Sequence, residues 1–363
     1  MKRTVGILSM QKVLNYGSFL QAYALRQLLL QIGLKEVFFL DIEPGFVLSG
    51  YRPTTQTKRI LNAIKLLFKG KLLTKIRDLK FDKKMRNSIS ANLSILQLDK
   101  KPEKKFDLVI IGSDEVFNCC QTTNWGYTTQ LYGNVPQAKQ VISYAGSFGH
   151  TTYEQLVEYG LANEIGTTMK TMSAISVRDE NSFNIVERLT HIKPQIHLDP
   201  VLIYGYHNEI NMYNIEKNEK YIIIYSYQGR IKDKNEINDI VSFAKSKSLK
   251  LISIFCRYDW CNEAVIPPTP FHVLAWFNKA EYVITDTFHG TIFSIITHRK
   301  FCTLIRDTNQ QKLTSLLKHL GLEAQGTKHI GQILEFPINY TKVEEILKRE
   351  KERSLAYLKE QID

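Results

Sequence analysis

The chain has 363 residues, of which 44% are hydrophobic, and a formal net charge of +12. This length exceeds that of a typical single core and predicts two domains with well-formed interiors. No apolar run approaches the roughly 18 residues of a membrane-spanning helix, and the run from Val5 to Leu8 is too short for a signal peptide. We therefore expect a cytoplasmic protein whose only membrane contact is peripheral.

The cysteine pattern gives no sign of a metal site or a disulfide framework. The chain has five cysteines without paired metal-ligand spacing. An odd number of cysteines in a large chain fits free thiols in a reducing compartment. The five residues are Cys119, Cys120, Cys256, Cys261 and Cys302.

The first apolar strand, Val5 to Leu8, is followed by a polar loop, an apolar helix and a second strand from Val37 to Asp41. This succession predicts a βαβ unit, whose first loop lies at the carboxyl edge of a parallel sheet. The loop is longer than a simple connection needs, so we expect it to face a ligand. The alternative is turn chemistry with Ser18 as the helix N-cap. The candidate substrate-binding residues are Asn15, Tyr16, Gly17 and Ser18.

Two further strands of the first half also end in polar turns. The strand that starts at Phe106 ends in a turn where small residues allow close backbone approach and Asp114 places a carboxylate at the sheet edge. Asp114 could cap the next helix or hold a substrate hydroxyl. The strand from Ala174 ends with Arg178, for which a salt bridge to Asp179 or Glu180 is the structural alternative. Ser113 and Asn118 are further candidate binding residues.

The second half repeats the pattern with strands at Lys220 to Ser226, Leu251 to Cys256 and Lys300 to Ile305. A fourth strand, starting at Tyr282, runs into a polar turn and an apolar helix. His289 stands at the mouth of that turn, where a helix start favours an anion, although it could be a histidine that merely caps the turn. The candidate binding residues here are Arg230, Asp286, Thr287 and Gly290.

These patterns predict an α/β fold with two Rossmann-like, doubly wound domains. A proline-containing crossover around His197 to Val201 places the linker. The predicted boundaries are 1–195 for the first domain, with a basic insertion at about 56–105, 196–341 for the second, and 342–363 for a helix that packs on the body.

Most of the net positive charge lies between Lys58 and Lys105, where fifteen Lys and Arg residues outnumber four acidic ones. Apolar residues recur at helical spacing between Ile60 and Phe81, which predicts a basic amphipathic segment. Such a segment is a candidate for contact with an anionic membrane surface or an acidic partner. Without a recognised binding motif we predict no nucleic-acid partner. The alternative is a solvated helical excursion.

Four stretches in order resemble the polysaccharide pyruvyl transferase family. They are Asn15 to Leu25, Val109 to Asp114 with Asn118, Ser176 to Asp179, and Asp286 to Gly290. The resemblance implies two Rossmann-like domains that face each other across a cleft, as in GT-B glycosyltransferases. It also implies an acceptor side in the first domain and a donor side in the second.

The resemblance further implies transfer of pyruvate from phosphoenolpyruvate to two hydroxyls of a hexose, with formation of a cyclic ketal and release of phosphate. The acceptor would be a polysaccharide or a lipid-linked oligosaccharide of capsule or exopolysaccharide synthesis. An arginine and a histidine implicated in activity fall on Arg178 and His289. Some members carry an arginine two residues before the histidine, where this chain has Thr287, so another cation must compensate. The candidates are Arg230, Arg257, Arg299 and Lys300.

The implied chemistry assigns a role to each catalytic candidate. Arginine suits bidentate capture of a carboxylate or phosphate, and this points to Arg178. His289 as imidazolium could protonate C3 of the donor. Asp114 could accept a proton from the attacking hydroxyl or orient the sugar, and we favour orientation. Neither a metal nor a cofactor is required. The alternative functions are a GT-B glycosyltransferase that uses a nucleotide sugar and a non-catalytic basic adaptor bound to membranes.

Overall fold

The computed structural model describes residues 3–48, 72–102, 105–120, 125–327 and 330–362. The part of the predicted basic insertion between residues 56 and 71, and residues 103 and 104, lie outside these ranges. The five cysteines all lie inside them and are free thiols, as expected. Within these ranges, no helix combines the length and the apolar character needed to cross a bilayer.

In the described part of the first half, four parallel strands form a sheet in the order β2-β1-β3-β4. Two short parallel strands, β5 and β6, continue beyond β4 through isolated bridges such as Gly146 to Val177. The two inner strands, β1 and β3, are almost entirely apolar and buried, as expected for a parallel sheet covered on both faces. The strands are β1 (Thr4–Leu8), β2 (Glu36–Phe39), β3 (Phe106–Ile111), β4 (Ala138–Ser143), β5 (Ser176–Val177) and β6 (Gln195–Ile196).

The helices of this half cover the sheet. The first of them, α1, is capped by Asn15, whose side chain accepts a hydrogen bond from the backbone N–H of Ser18 at 2.7 Å. The alternative interpretation, with Ser18 as the N-cap, is therefore wrong. The helices are α1 (Tyr16–Gln31), α2 (Leu72–Ala91), α3 (Tyr153–Glu158), α4 (Ala162–Met169) and α5 (Glu180–Thr190), with 3₁₀ turns at Leu93–Leu96 and Thr129–Tyr132.

The second half contains a parallel sheet in which the described strands follow the order β12-β11-β10-β7-β8-β9. Its strands are β7 (Tyr221–Tyr225), β8 (Lys250–Ile254), β9 (Glu263–Val265), β10 (Tyr282–Thr285), β11 (Lys300–Leu304) and β12 (Gly326–Thr327). Its helices are α8 (Lys234–Ser246), α9 (Pro270–Lys279), α10 (Phe288–Ile296), α11 (Gln310–His319) and α12 (Ile330–Leu334), with a 3₁₀ turn at Glu323–Gln325.

Both sheets reverse their strand order at one place. In the first sheet the chain switches direction between β1 and β3, and in the second between β7 and β10. Open α/β sheets bind ligands at the carboxyl ends of the strands on either side of such a switch point. The loops that follow these four strands are therefore where a site is expected.

Three helices connect the halves: α6 (Pro200–Tyr204), α7 (His207–Met212) and the terminal α13 (Tyr340–Glu360). The terminal helix returns to the first half, where the Tyr357 hydroxyl donates to the carbonyl of Ser143 at 2.8 Å. Residues of both sheets belong to one continuous hydrophobic core that also contains α1. This shared core fixes the position of one switch point relative to the other.

Candidate functional site

A cleft of about 400 Å³ lies where the two switch points meet. The first half lines it with Met10, Lys12, Val13, Leu14, Asn15, Gly17, Ser18, Arg86, Asp114, Glu115, Trp125 and Arg178. The second half lines it with Tyr225, Tyr227, Arg230, Phe255, Asp286, Thr287, Phe288, His289 and Lys312.

Arg178 is held by two carboxylates at the floor of this cleft. Its side chain is 1% exposed, Nη1 lies 3.0 Å from Asp199 Oδ2, and Nη2 lies 3.4 Å from Asp114 Oδ1. The guanidinium also stacks 4.2 Å from the centroid of the Phe288 ring. Burial lowers the pKa of Arg178, but the carboxylates of Asp114 and Asp199 offset this and leave it above the usual value.

The predicted structural alternative for Arg178 was a salt bridge to Asp179 or Glu180, and this was wrong, because its partners are Asp114 and Asp199. Asp179 caps α5 by accepting from the backbone N–H of Ser182 at 2.8 Å, and its other oxygen accepts from the Ser147 hydroxyl. The sequence offered one clue to Asp199: it precedes a proline and follows a strand. We interpreted that stretch only as a linker.

Asp199 joins Arg178 to His289. Its Oδ2 atom lies 3.7 Å from His289 Nε2, a distance that fits an ionic contact but exceeds a hydrogen bond. Its Oδ1 atom accepts from the backbone N–H of Val201 at 3.0 Å. Burial raises the pKa of the Asp199 carboxyl, but His289 and Arg178 lower it by more, so this group is a carboxylate at neutral pH.

His289 is wedged between the two halves. Its side chain is 13% exposed, and its Nε2 atom has no hydrogen-bond partner among the described residues. The ring packs so closely on Gly17, at the start of α1, that a Cβ atom added there would overlap it. The N-termini of α1 and α10 thus meet at this histidine, and the positive end of each helix dipole lies beside the cleft.

Asp114 follows β3 with a φ of 79°, a left-handed conformation that is uncommon for a non-glycine residue. Its Oδ2 atom accepts from the Ser18 hydroxyl at 2.8 Å, and its Oδ1 atom faces Arg178. Both oxygens are therefore engaged. This arrangement fits an orienting role better than a proton-accepting one.

Lys312, on α11 of the second half, crosses the cleft to Glu115 of the first half at 2.5 Å. Asn118 also donates to Glu115, at 2.8 Å. Burial raises the pKa of Glu115, but Lys312 and Arg178 lower it to about 2. Neither member of this pair was predicted, because a lysine and a glutamate far apart in sequence give no local signal.

Replacing Lys312 by Met is expected to lower the free energy of unfolding by up to roughly 3 kcal/mol at neutral pH, since it removes the cation that lies against the largely buried carboxylate of Glu115. Because the folded pKa of Glu115 is depressed, this contribution is present above the ordinary pKa of 4.5 and is lost as the pH falls towards 2. Urea titrations at several pH values measure it. Lys193→Met, in an exposed pair with Glu187, is the control and should change stability by less than about 1 kcal/mol. Equal effects of both variants at neutral pH would contradict the prediction.

Asp286 follows β10 on the floor of the cleft. It is completely buried, and neither carboxylate oxygen has a hydrogen-bond partner within the described ranges. The nearest cation is Arg230, whose Nη1 atom lies 3.8 Å from Oδ2 and whose side chain is 34% exposed. Thr287 stands where some members of the resembling family carry an arginine. It caps α10 by accepting from the backbone N–H of Gly290 at 2.9 Å.

Four of the predicted binding residues lie outside the cleft lining. Tyr16 is buried against Phe255, and Ser113 is buried and donates to Ala145 and Asp199. Asn118 accepts from Thr151 and donates to Glu115. Gly290 has no room for a Cβ atom beside Thr285, Thr287 and Tyr225. These residues support the lining.

Of the four cations proposed to compensate for Thr287, Arg230 lines the cleft. Arg257 pairs with Asp78 and Asp259, and Arg299 donates to the carbonyls of Thr297 and Ala280. Lys300 lies at the amino end of β11. The cleft also contains three cations that were not predicted as site residues, Lys12, Arg86 and Lys312. The aromatic lining residues Trp125 and Tyr227 were not predicted either.

Solved structures with the same architecture cover nearly the whole chain. UDP-GlcNAc 2-epimerase from Neisseria meningitidis, bound to UDP-GlcNAc, has a TM-score of 0.50 and 14% identity over 98% of this chain and 99% of its own. UGT89C1 of Arabidopsis thaliana, complexed with quercetin, has a TM-score of 0.48 and 10% identity over 99% of this chain and 98% of its own. At 14% identity, the likeness to the Neisseria epimerase shows the fold alone. No curated protein sequence matches the chain significantly.

Two parallel α/β sheets that face each other across a cleft place the protein in the GT-B class, which confirms the predicted fold. The sequence model for polysaccharide pyruvyl transferases matches residues 15–308, well over half of the chain. The chain therefore belongs to the polysaccharide pyruvyl transferase family and is a polysaccharide pyruvyltransferase enzyme, as the resemblance of its motifs predicted.

Proposed function

We propose that the enzyme transfers pyruvate from phosphoenolpyruvate to two hydroxyls of a hexose in a polysaccharide or lipid-linked oligosaccharide. The product is a cyclic pyruvate ketal, and phosphate is released. The observation that carries this proposal is the meeting of His289, Arg178 and two helix N-termini in one cleft. This surrounding suits a small donor with both a carboxylate and a phosphate.

The anionic groups of the donor bind to the cations and helix starts of the cleft. The N–H groups at the start of α10 and the guanidinium of Arg230 hold the phosphate. Arg178 has two nitrogens engaged with Asp199 and Asp114, while its Nε atom has no partner in the described part of the structure. It therefore contributes one contact and a fixed positive potential to the donor carboxylate.

The reaction begins with protonation of the donor. His289 as imidazolium delivers a proton to C3 while a hydroxyl of the sugar attacks C2. The carboxylate of Asp199, 3.7 Å from Nε2, stabilises the positive charge on the ring. Departure of phosphate and attack by the second hydroxyl on the same carbon close the ketal. Acid–base chemistry supplies every step, so the proposed sequence needs no cofactor.

The donor identity is tested by incubating the protein with phosphoenolpyruvate and a panel of p-nitrophenyl hexopyranosides, each of which offers a 4,6-diol. We expect release of phosphate and a product heavier by a pyruvylidene group. Phosphoenolpyruvate should raise the melting temperature by mass action, whereas UDP-hexoses should not. Stabilisation by UDP-hexoses alone would favour a nucleotide-sugar glycosyltransferase.

Gly17→Ala should lower turnover, because a methyl group at this position overlaps the His289 ring and moves it from the start of α10. Overpacking of this kind typically costs about 1–3 kcal/mol of stability as well. Steady-state kinetics and thermal unfolding measure both effects. Gly331→Ala is the matched control, because the nearest atom to its added methyl is at 3.8 Å. Unchanged turnover in Gly17→Ala would contradict the proposed position of His289.

We also propose that α2 docks on an anionic membrane surface. Its inner side buries Met85 and Ile89, while Leu73, Ile76 and Leu79 are 72%, 39% and 58% exposed. Lys80 and Lys83 follow Ile76 and Leu79 at a spacing of four residues, so the exposed side combines apolar and basic groups. Arg86 of the same helix lines the cleft, so a bilayer bound to α2 would lie close to the cleft. Free thiols and this surface fit a cytoplasmic enzyme at the inner face of the membrane that acts on a lipid-linked acceptor.

Flotation with vesicles tests this surface. Phosphatidylglycerol-containing vesicles should bind the protein, pure phosphatidylcholine vesicles should not, and salt should weaken the binding. The double variant Lys80→Gln/Lys83→Gln should bind less, whereas Lys318→Gln on α11 should bind as the wild type does. Equal binding to neutral and anionic vesicles would contradict an electrostatic docking surface. Vesicle binding without any turnover would favour a basic adaptor.

A further inference from the structure

Asp286 is a buried carboxylate that has no role in the reaction steps proposed for His289, Arg178 and Asp199. It lines the cleft at the switch point between β7 and β10, yet it is completely buried. Within the described ranges, neither of its oxygens has a hydrogen-bond partner. Ser226, on the neighbouring strand end, directs its hydroxyl to the carbonyl of Tyr227 instead.

An unpartnered buried carboxylate is costly and therefore needs an explanation. Burial raises the pKa of Asp286 above its usual value, although the guanidinium groups of Arg230 and Arg306 act in the opposite direction. A carboxylate whose pKa is raised is a stronger base than an exposed one. A group of this kind in a substrate cleft is a candidate for proton transfer.

The other carboxylates at the described part of the cleft are engaged. Asp114 accepts from Ser18 and faces Arg178, and Asp199 accepts from Arg178 and from the backbone of Val201. Glu115 accepts from Lys312 and Asn118. Asp286 differs from them because neither of its oxygens accepts a hydrogen bond within the described ranges, and its close cation, Arg230, lies 3.8 Å away.

We propose that Asp286 is the general base that takes the proton from the first attacking hydroxyl of the acceptor. This inference rests on the proposed ketal pyruvyl transfer. As the O–H bond of the acceptor breaks, its electron pair forms the bond to C2 of the donor, and its proton moves to a carboxylate oxygen of Asp286. The electron pair of the C2–C3 double bond takes the proton of the His289 imidazolium.

The second half of the reaction restores both groups. Asp286 returns its proton to the departing phosphate, which leaves as hydrogen phosphate when the C2–O bond to it breaks. The second hydroxyl then attacks C2, and its proton returns to His289. One proton of the acceptor thus leaves on phosphate, and the other replaces the proton that C3 gained, so atoms and charges balance over the cycle.

The test compares Asp286→Asn with wild type, using phosphoenolpyruvate and the p-nitrophenyl hexopyranoside on which the wild type is most active. A base typically contributes about 100-fold or more, so kcat should fall by at least that factor. The Kd for phosphoenolpyruvate, followed through the fluorescence of Trp125 in the cleft, should change only a few-fold. Asp114→Asn is the matched comparison, and its effect should fall on the KM for the hexopyranoside.

A second variant separates proton transfer from a structural role. Asp286→Ala leaves a space beside Arg230, and added formate should restore part of the phosphate release there but not in His289→Ala. If Asp286→Asn keeps its kcat, or if formate restores nothing while Kd and the fold are intact, Asp286 is not the base. If the wild type releases no phosphate with any hexopyranoside, the proposed function itself fails, and this inference fails with it.

Discussion

His289→Ala should abolish pyruvyl transfer while leaving the fold intact, with a loss of turnover of about 10²–10⁴-fold. The imidazole is the proposed donor of the proton that makes C2 of phosphoenolpyruvate electrophilic. Its removal leaves Asp199 still paired with Arg178 at 3.0 Å, so the buried carboxylate keeps a cation. Phosphate release measures the loss, and thermal unfolding monitors the fold.

The matched control for this prediction is His298→Ala. His298 lies on the second half, is 46% exposed and pairs with Glu344 outside the cleft. Its removal should leave turnover unchanged. If His289→Ala retained wild-type turnover, the acid would have to be another group, and Asp286 would be the first to examine.

Arg178→Met should give the largest loss of stability, about 3–5 kcal/mol, because it leaves two buried carboxylates without their guanidinium. The side chains of Asp199 and Asp114 are 0% and 11% exposed, so water cannot replace the lost charge. Removal of the charge also lets the pKa of Asp199 rise, since Arg178 helps to hold it below its usual value. Chemical denaturation measures this loss.

Arg178→Lys separates stability from catalysis. Lysine keeps the charge but cannot reproduce the planar fork that contacts both carboxylates and still presents Nε to a ligand. We expect a smaller loss of stability than in Arg178→Met, together with a marked rise in the KM for phosphoenolpyruvate. Arg188→Met, which breaks an exposed pair with Glu154, should cost less than about 1 kcal/mol. Equal costs at Arg178 and Arg188 would show that the buried network does not stabilise the fold.

Much of the site could be predicted because it follows the strand ends. Parallel strands are buried on both faces, so apolar runs interrupted by polar turns identify them in the sequence. Asp114 follows β3 and Asp286 follows β10, as the pattern indicated, and both line the cleft. Arg178 was predicted in the same way from the end of its strand. The motif of residues 286–290 also carried the family resemblance.

Partners were harder to predict than positions. Arg178 pairs with Asp199 and Asp114, not with its sequence neighbours, because the neighbouring Asp179 caps a helix instead. The N-cap of α1 was misplaced for a related reason. Asn15 and Ser18 are both good caps, and the Ser18 hydroxyl is used by Asp114 across the sheet edge.

The sequence by itself determined the main strands, several of the helices, the family and most of the polar residues at the switch points, since these depend on local periodicity and on motifs. Only the tertiary structure decided that Gly17 packs against His289, that Lys312 reaches Glu115, and that Asp286 has unpartnered oxygens. Such contacts join residues far apart in the chain, and they depend on how two sheets are set across a shared core. No local pattern encodes that geometry.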